Sequence, residues 1–123
     1  MAEQRYRRIA IEEAFSIPEI SEANRIAVPR RGPPSPAFQL TNERLLDLGE
    51  GRLKAMDEDG IAVQLIHLTA PGVQNLEPQQ AKELAALSND RLAEACRKHP
   101  TRFAGYAACA PQDRKSTRLN SSH

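Results

Sequence analysis

Glu12 and Glu13 are adjacent carboxylates that close a short apolar run, Ile9-Ala10-Ile11, and lead into Ala14, Phe15 and Ser16. If that run is the first strand of a parallel α/β fold, Glu12 stands at its carboxyl end, where barrels and open sheets of that kind gather their active-site groups. A carboxylate there can hold a cation or move a proton. Residues i and i+2 of a strand share a face, so Glu12 and Ala14 look one way. Glu13 then turns toward flanking helices or solvent, where an ion pair is its expected role. His67, near the end of a second apolar run, is the one histidine expected on a strand. A buried imidazole bonded to backbone or a neighbouring strand is its expected role.

These groups need a scaffold, and the pattern around them alternates strand and helix. The first strand is expected over 8–12. The connection 16–39 carries Pro18, Pro29, Pro33, Pro34 and Pro36, and neither a helix nor a central strand is expected in it. A connection of that length is expected to be a lid or binding loop, or to be disordered. Thr41 can cap a helix whose apolar positions Leu45, Leu48, Leu53 and Met56 recur near the helical period, with Gly49 and Gly51 able to split it and Gly60 closing it. Residues 61–68 form a near-continuous apolar run of strand length, the pattern of a strand covered on both faces. The turn holding Thr69 and Pro71 follows at its carboxyl end. A helix is expected over 78–99, with Ala81, Leu84, Ala85, Ser88, Leu92, Ala95 and Cys96 as its buried stripe and His99 making a favourable dipole contact at its end. Pro100 stops it, and 103–110 completes a βαβαβ order as a third strand. The acids Asp57, Glu58 and Asp59 are expected to be solvated.

Composition narrows the class further. The chain has 123 residues, 40% of them apolar and 27% charged, with a formal net charge of +1, which suits one small domain. That balance gives no electrostatic reason to expect nucleic acid or an anionic membrane as partner, and the short basic clusters at 5–8, 30–31 and 114–115 read as solvated surface. No apolar stretch reaches the length of a signal peptide or a membrane span, and the expected compartment is the cytoplasm. Cys96 and Cys109 have no CxxC or Cys/His ligand spacing and read as small buried residues without a disulfide. The last residues, DRKSTRLNSSH at 113–123, abandon the preceding periodicity. Their order resembles the in-frame translation of a common sequencing-library adapter, so 113–123 is expected to be non-native and 1–112 to be the meaningful unit.

Four segments in order carry a family resemblance: IAIEEAFSIPE at 9–19, RLKAMDEDGI at 52–61, LTAPGVQ at 68–74 and SNDRLAEACRKHP at 88–100. Together they resemble the amidohydrolase-related family, and within it the metal-dependent non-oxidative decarboxylases of hydroxybenzoates and related acids. The likeness runs over 9–112. The fold it implies is a (β/α)8 barrel, roughly 250 residues when complete, of which this chain would supply the amino-terminal portion, about three strands and two helices. It also implies a divalent metal, zinc or manganese, held by a Glu-x-His pair on the first strand, a later His and a last-strand Asp. Glu12 takes the Glu position. Ala14 stands where the family has His, so one fewer protein ligand, a water, a substitute such as His67, or no metal must follow.

The implied substrate is a small aromatic or related carboxylic acid, which the metal orients while the late Asp protonates the ring and carbon dioxide leaves. Ala14, Phe15, Thr69 and Pro71 are the candidate substrate contacts, with Phe15 equally able to fill core. Neither the later His nor the Asp lies in this chain, so no catalytic residue is assigned, and by itself it is expected to be inactive and poorly soluble. Homo-oligomerisation of the longer protein is left open. Two alternatives stand beside this reading: a metal-dependent hydrolase of esters, lactones or amides in the same superfamily, and a non-catalytic module that binds through its strand edge. A doubly wound nucleotide-binding domain is disfavoured, because no Gly-rich phosphate loop follows the first or second strand.

Overall fold

Three parallel strands in the order β1-β2-β3 carry four helices in a computed structural model that describes residues 6–113. The elements are β1 (Ile9–Phe15), α1 (Pro18–Ala27), α2 (Pro36–Leu46), α3 (Glu50–Asp59), β2 (Val63–Leu68), α4 (Pro78–Lys98) and β3 (Phe103–Gly105). Beyond Asp113, the segment expected to be non-native lies outside the described residues.

The proline-rich connection is more ordered than its composition suggests. Pro18 sits in the first turn of α1, where its missing N–H costs no helical bond, and Ile20 and Ala23 turn the helix onto the core. Pro36 plays the same part in α2, which Ser35 caps by accepting a hydrogen bond from the Phe38 amide. Thr41 is therefore not a cap. It lies inside α2, and its hydroxyl donates to the Ala37 carbonyl at 3.0 Å. The predicted single helix is split at Gly49 and ends at Gly60, whose φ of 70° lets the chain turn out of α3. The described residues thus hold four helices where two were expected.

α4 matches its predicted span to one residue, and its stripe of Ala81, Ala85, Ser88, Leu92 and Ala95 is buried. β3 is shorter than the predicted third strand. The Tyr106 amide still donates to the Ile66 carbonyl of β2 at 2.9 Å, but farther on the backbone meets a side chain: Asn89 Nδ2 donates to the Ala108 carbonyl at 2.9 Å, and the Ala108 amide donates to Asn89 Oδ1 at 2.7 Å. Cys109 consequently lies in irregular chain, and it and Cys96 are both free thiols.

Helices cover one face of the sheet. Phe15 (1% exposed), Ile66 (0%) and Phe103 look into that layer with Ile17, Ile20 and Met56, and Gly105 lets Leu92 of α4 press against the strand. The other face is open, with Ile9 54% and Ile11 62% exposed. Asp57 is not simply solvated, because Arg102 Nη2 pairs with it at 2.7 Å while the same guanidinium donates to the Ala62 and Ile61 carbonyls. This contact ties the end of α3 to β3. Among the described residues no helix is long and apolar enough to cross a membrane.

Candidate metal and substrate site

The register of β1 decides where Glu12 points. Ala10 pairs with Gln64 and Glu13 with Ile66, three steps along β1 against two along β2, so one extra residue is absorbed between them as a β-bulge. Paired residues of adjacent parallel strands share a face. Ala10, Glu13 and Phe15, opposite Gln64, Ile66 and Leu68, therefore belong to the helix side. Without the bulge, alternation from Ala10 would carry Glu12 to that side too. The extra residue puts Glu12 and Ala14 on the open face, where Glu12 is exposed.

His67 is the register partner of Ala14, so it stands beside the alanine on that same face. It is half-buried, and its Nδ1 lies 3.1 Å from the Leu68 carbonyl, a contact that fits the protonated Nδ1 tautomer and leaves Nε2 as the ring's acceptor. The open face thus presents one carboxylate and one imidazole with a methyl group between the strands. Among the described residues no group of three or more His, Cys, Asp or Glu converges on one point. The donor chemistry suits a divalent cation, but the remaining ligands would have to come from elsewhere.

Arg52 holds this end of the sheet from behind. Its Nε donates to the Asp47 carbonyl at 2.6 Å, Nη1 to Gln64 Oε1 at 3.1 Å, and Nη2 to the carbonyls of Ala14 at 2.9 Å and Arg44 at 3.3 Å. Burial pushes its basicity below the ordinary arginine range, and the carboxylates of Glu13 and Asp47 partly restore it. Glu13 is on the helix side, as expected, but it acts on Arg52 through space rather than in a contact ion pair.

The other sequence candidates separate. Phe15 is fully buried in the core. His99 caps α4 and stacks edge-on against Phe103, with ring centroids 5.4 Å apart. Thr69 and Pro71 line a cavity of about 480 Å³ between α1, α2 and the turn after β2. Its wall includes Asn24, Arg30, Phe38 and Thr41 but neither Glu12 nor Ala14. Sequence reasoning missed Asn24, Arg30 and Phe38 as wall residues because they sit in the proline-rich segment read as loop, and it gave Thr41 only a capping role. Ser35 before Pro36, a cap followed by an N1 proline, was the available signal.

No family model matches the chain. It is 41% identical over 107 residues to the γ-resorcylate decarboxylase of Rhodococcus jostii (strain RHA1), a match covering 86% of this chain and 31% of that protein. A γ-resorcylate decarboxylase of Rhizobium sp. (strain MTP-10005) is 39% identical over the same coverage. Among solved structures, the 5-carboxyvanillate decarboxylase of Novosphingobium aromaticivorans, with bound manganese and 3-methoxy-4-hydroxy-5-nitrobenzoic acid, superposes with a TM-score of 0.81 at 42% identity, over 90% of this chain and 36% of that one. The 2,6-dihydroxybenzoate decarboxylase from Rhizobium gives 0.76 at 36% identity, over 92% and 33%. The chain spans about a third of the curated relatives it matches. It is a homologue of part of these decarboxylases of hydroxylated aromatic acids.

Proposed function

We propose that this chain is part of a metal-dependent non-oxidative decarboxylase acting on a small aromatic carboxylic acid. The observation that carries the reading is the coincidence of that homology with Glu12 on the open face of the sheet, turned there by the bulge in β1. Glu12 would hold the cation, manganese or zinc, at the carboxyl end of β1. When bound, that ion supplies Lewis-acid polarisation and orients the substrate carboxylate.

The residues of this chain hold and shape rather than transform. Arg52 fixes the Ala14 carbonyl and so the strand end on which Glu12 stands. The Ala14 methyl, in place of a coordinating ring, leaves space beside Glu12 for a water or a substrate oxygen. Thr69 and Pro71, in the turn at the carboxyl end of β2, would border the incoming acid. Ring protonation and release of carbon dioxide need a proton donor supplied from outside these 123 residues. The two free thiols, Cys96 and Cys109, support a reducing compartment such as the cytoplasm.

The test is to read the native gene past the codon for Gln112, express the whole frame, and assay it with manganese against hydroxybenzoates and against aryl esters and lactones. Carbon dioxide with the matching phenol is the expected product. Turnover of the esters or lactones alone would replace this reading with a hydrolase.

A further inference from the structure

Two donor groups share the open face of the sheet, and the rest of the chain uses neither. The Glu12 carboxylate is exposed and makes no hydrogen bond or ion pair among the described residues. His67 is opposite Ala14 in the pairing of β1 with β2, so one strand spacing, about 4.8 Å, separates its backbone from the strand that carries Glu12. Only a methyl group stands beside it there.

The imidazole is arranged as a ligand is. Its Nδ1 lies 3.1 Å from the Leu68 carbonyl. A metal-bound histidine gives its second ring N–H to a carbonyl or carboxylate, which fixes the tautomer and makes the remaining nitrogen more basic. Here that nitrogen is Nε2, which has no partner among the described residues. His99, by contrast, spends its ring against Phe103.

The strand ends that carry the two groups are held in register. The Thr69 amide donates to the Phe15 carbonyl at 2.8 Å, and Arg52 Nη2 donates to the Ala14 carbonyl at 2.9 Å. Donors on packed strands keep their separation better than donors on loops, as a shared cation requires. Carboxylate oxygen and neutral imidazole nitrogen are ligands that both manganese and zinc accept.

We infer that His67 is a protein ligand of the cation, giving Nε2 to the ion that Glu12 holds, with the Ala14 methyl keeping the ground between them clear. This rests on the metal-dependent reading of the site, but not on which bond the site cleaves. It adds a nitrogen donor from β2 to a site otherwise carried by β1.

The experiment uses the protein from the whole native frame, stripped of metal and titrated with manganese alone. Free manganese is read from its electron paramagnetic resonance signal, and the nitrogen nuclei coupled to the bound ion from its spin-echo modulation. His67→Ala should weaken manganese binding by roughly tenfold or more and remove one imidazole coupling from those of the unaltered protein. A role in packing alone would leave the couplings as they were. A second measurement needs no variant, and it decides alone if circular dichroism shows His67→Ala unfolded. Bound manganese should shield the His67 ring from carbethoxylation by diethyl pyrocarbonate, read by peptide mass mapping, while His99 reacts as before. Unaltered affinity and couplings in folded His67→Ala, or His67 modified as fast with manganese as without it, would overturn the inference. The failures separate: manganese bound through Glu12 but indifferent to His67 overturns this assignment alone, whereas a protein that binds no manganese overturns the metal-dependent reading with it.

Discussion

One guanidinium, that of Arg52, joins four stretches of chain that no local pattern links: the ends of α2 and β1, the junction before α3, and Gln64 on β2. Removing it leaves several partly buried acceptors without donors, so Arg52→Met should cost about 2–3 kcal/mol in chemical denaturation. Arg52→Lys should recover only part of that, since a point charge cannot reproduce the fork. A midpoint unchanged in both variants would remove Arg52 from this role. Glu19 and Arg91 form an exposed pair between α1 and α4, and the Arg91 hydrogen bonds hold the Glu19 carboxyl below its usual range. A depressed carboxylate stabilises the folded state above its unfolded value, and that contribution is lost as the pH falls through the folded one. Melting temperature should therefore drop on acidification below the ordinary glutamate range, and Glu19→Gln should make that limb shallower. At this scale the sequence was legible where a residue type has one use, as with Gly60. It was opaque at Arg52 and Asn24, whose partners lie far along the chain.

The β1 bulge shows why strand pattern alone misleads. Read with period two, Ile9, Ile11, Glu13 and Phe15 would share one face. The structure instead divides them at the bulge, with Ile9 and Ile11 open and Phe15 in the core. No residue type in Ile9–Phe15 marks that extra step, because bulges without glycine leave no compositional trace. Its place at the carboxyl end of the expected first strand pointed to Glu12, and the resemblance to a known family gave it a metal role. Proline density misled in the other direction, since Pro18 and Pro36 begin helices rather than preventing them. By contrast, the α4 stripe and the β2 run were readable because burial and periodicity agree there. The close contact of α4 with β3 gives a sharp test: a Cβ on Gly105 would come within 2.5 Å of Leu92 Cδ2 and 2.8 Å of Cγ. Gly105→Ala should destabilise by about 1–3 kcal/mol through overpacking. Gly105→Ala combined with Leu92→Ala should recover stability relative to Leu92→Ala alone, and simple additivity of the two changes would argue against the contact.

Across the whole molecule the sheet is finished on one side only. β1 and β3 each have a free edge in the described chain, and Ile9 and Ile11 stand in solvent on the open face. In solved relatives the matching chain is only about a third of the total, so most of their residues have no counterpart here. The 123-residue chain should therefore bind a hydrophobic dye strongly. Ile9→Thr with Ile11→Thr should reduce that signal while shifting stability by no more than about 0.5 kcal/mol, as exposed sites do. Dye binding unchanged by the pair would place the apolar surface elsewhere. The most direct test of the account is Glu12→Gln in the protein expressed from the whole native frame, assayed for manganese-dependent release of carbon dioxide from a hydroxybenzoate. The account predicts that the amide, which keeps the shape but loses the charge, lowers manganese affinity and cuts turnover by roughly a hundredfold or more. Wild-type manganese affinity and turnover in Glu12→Gln would contradict it.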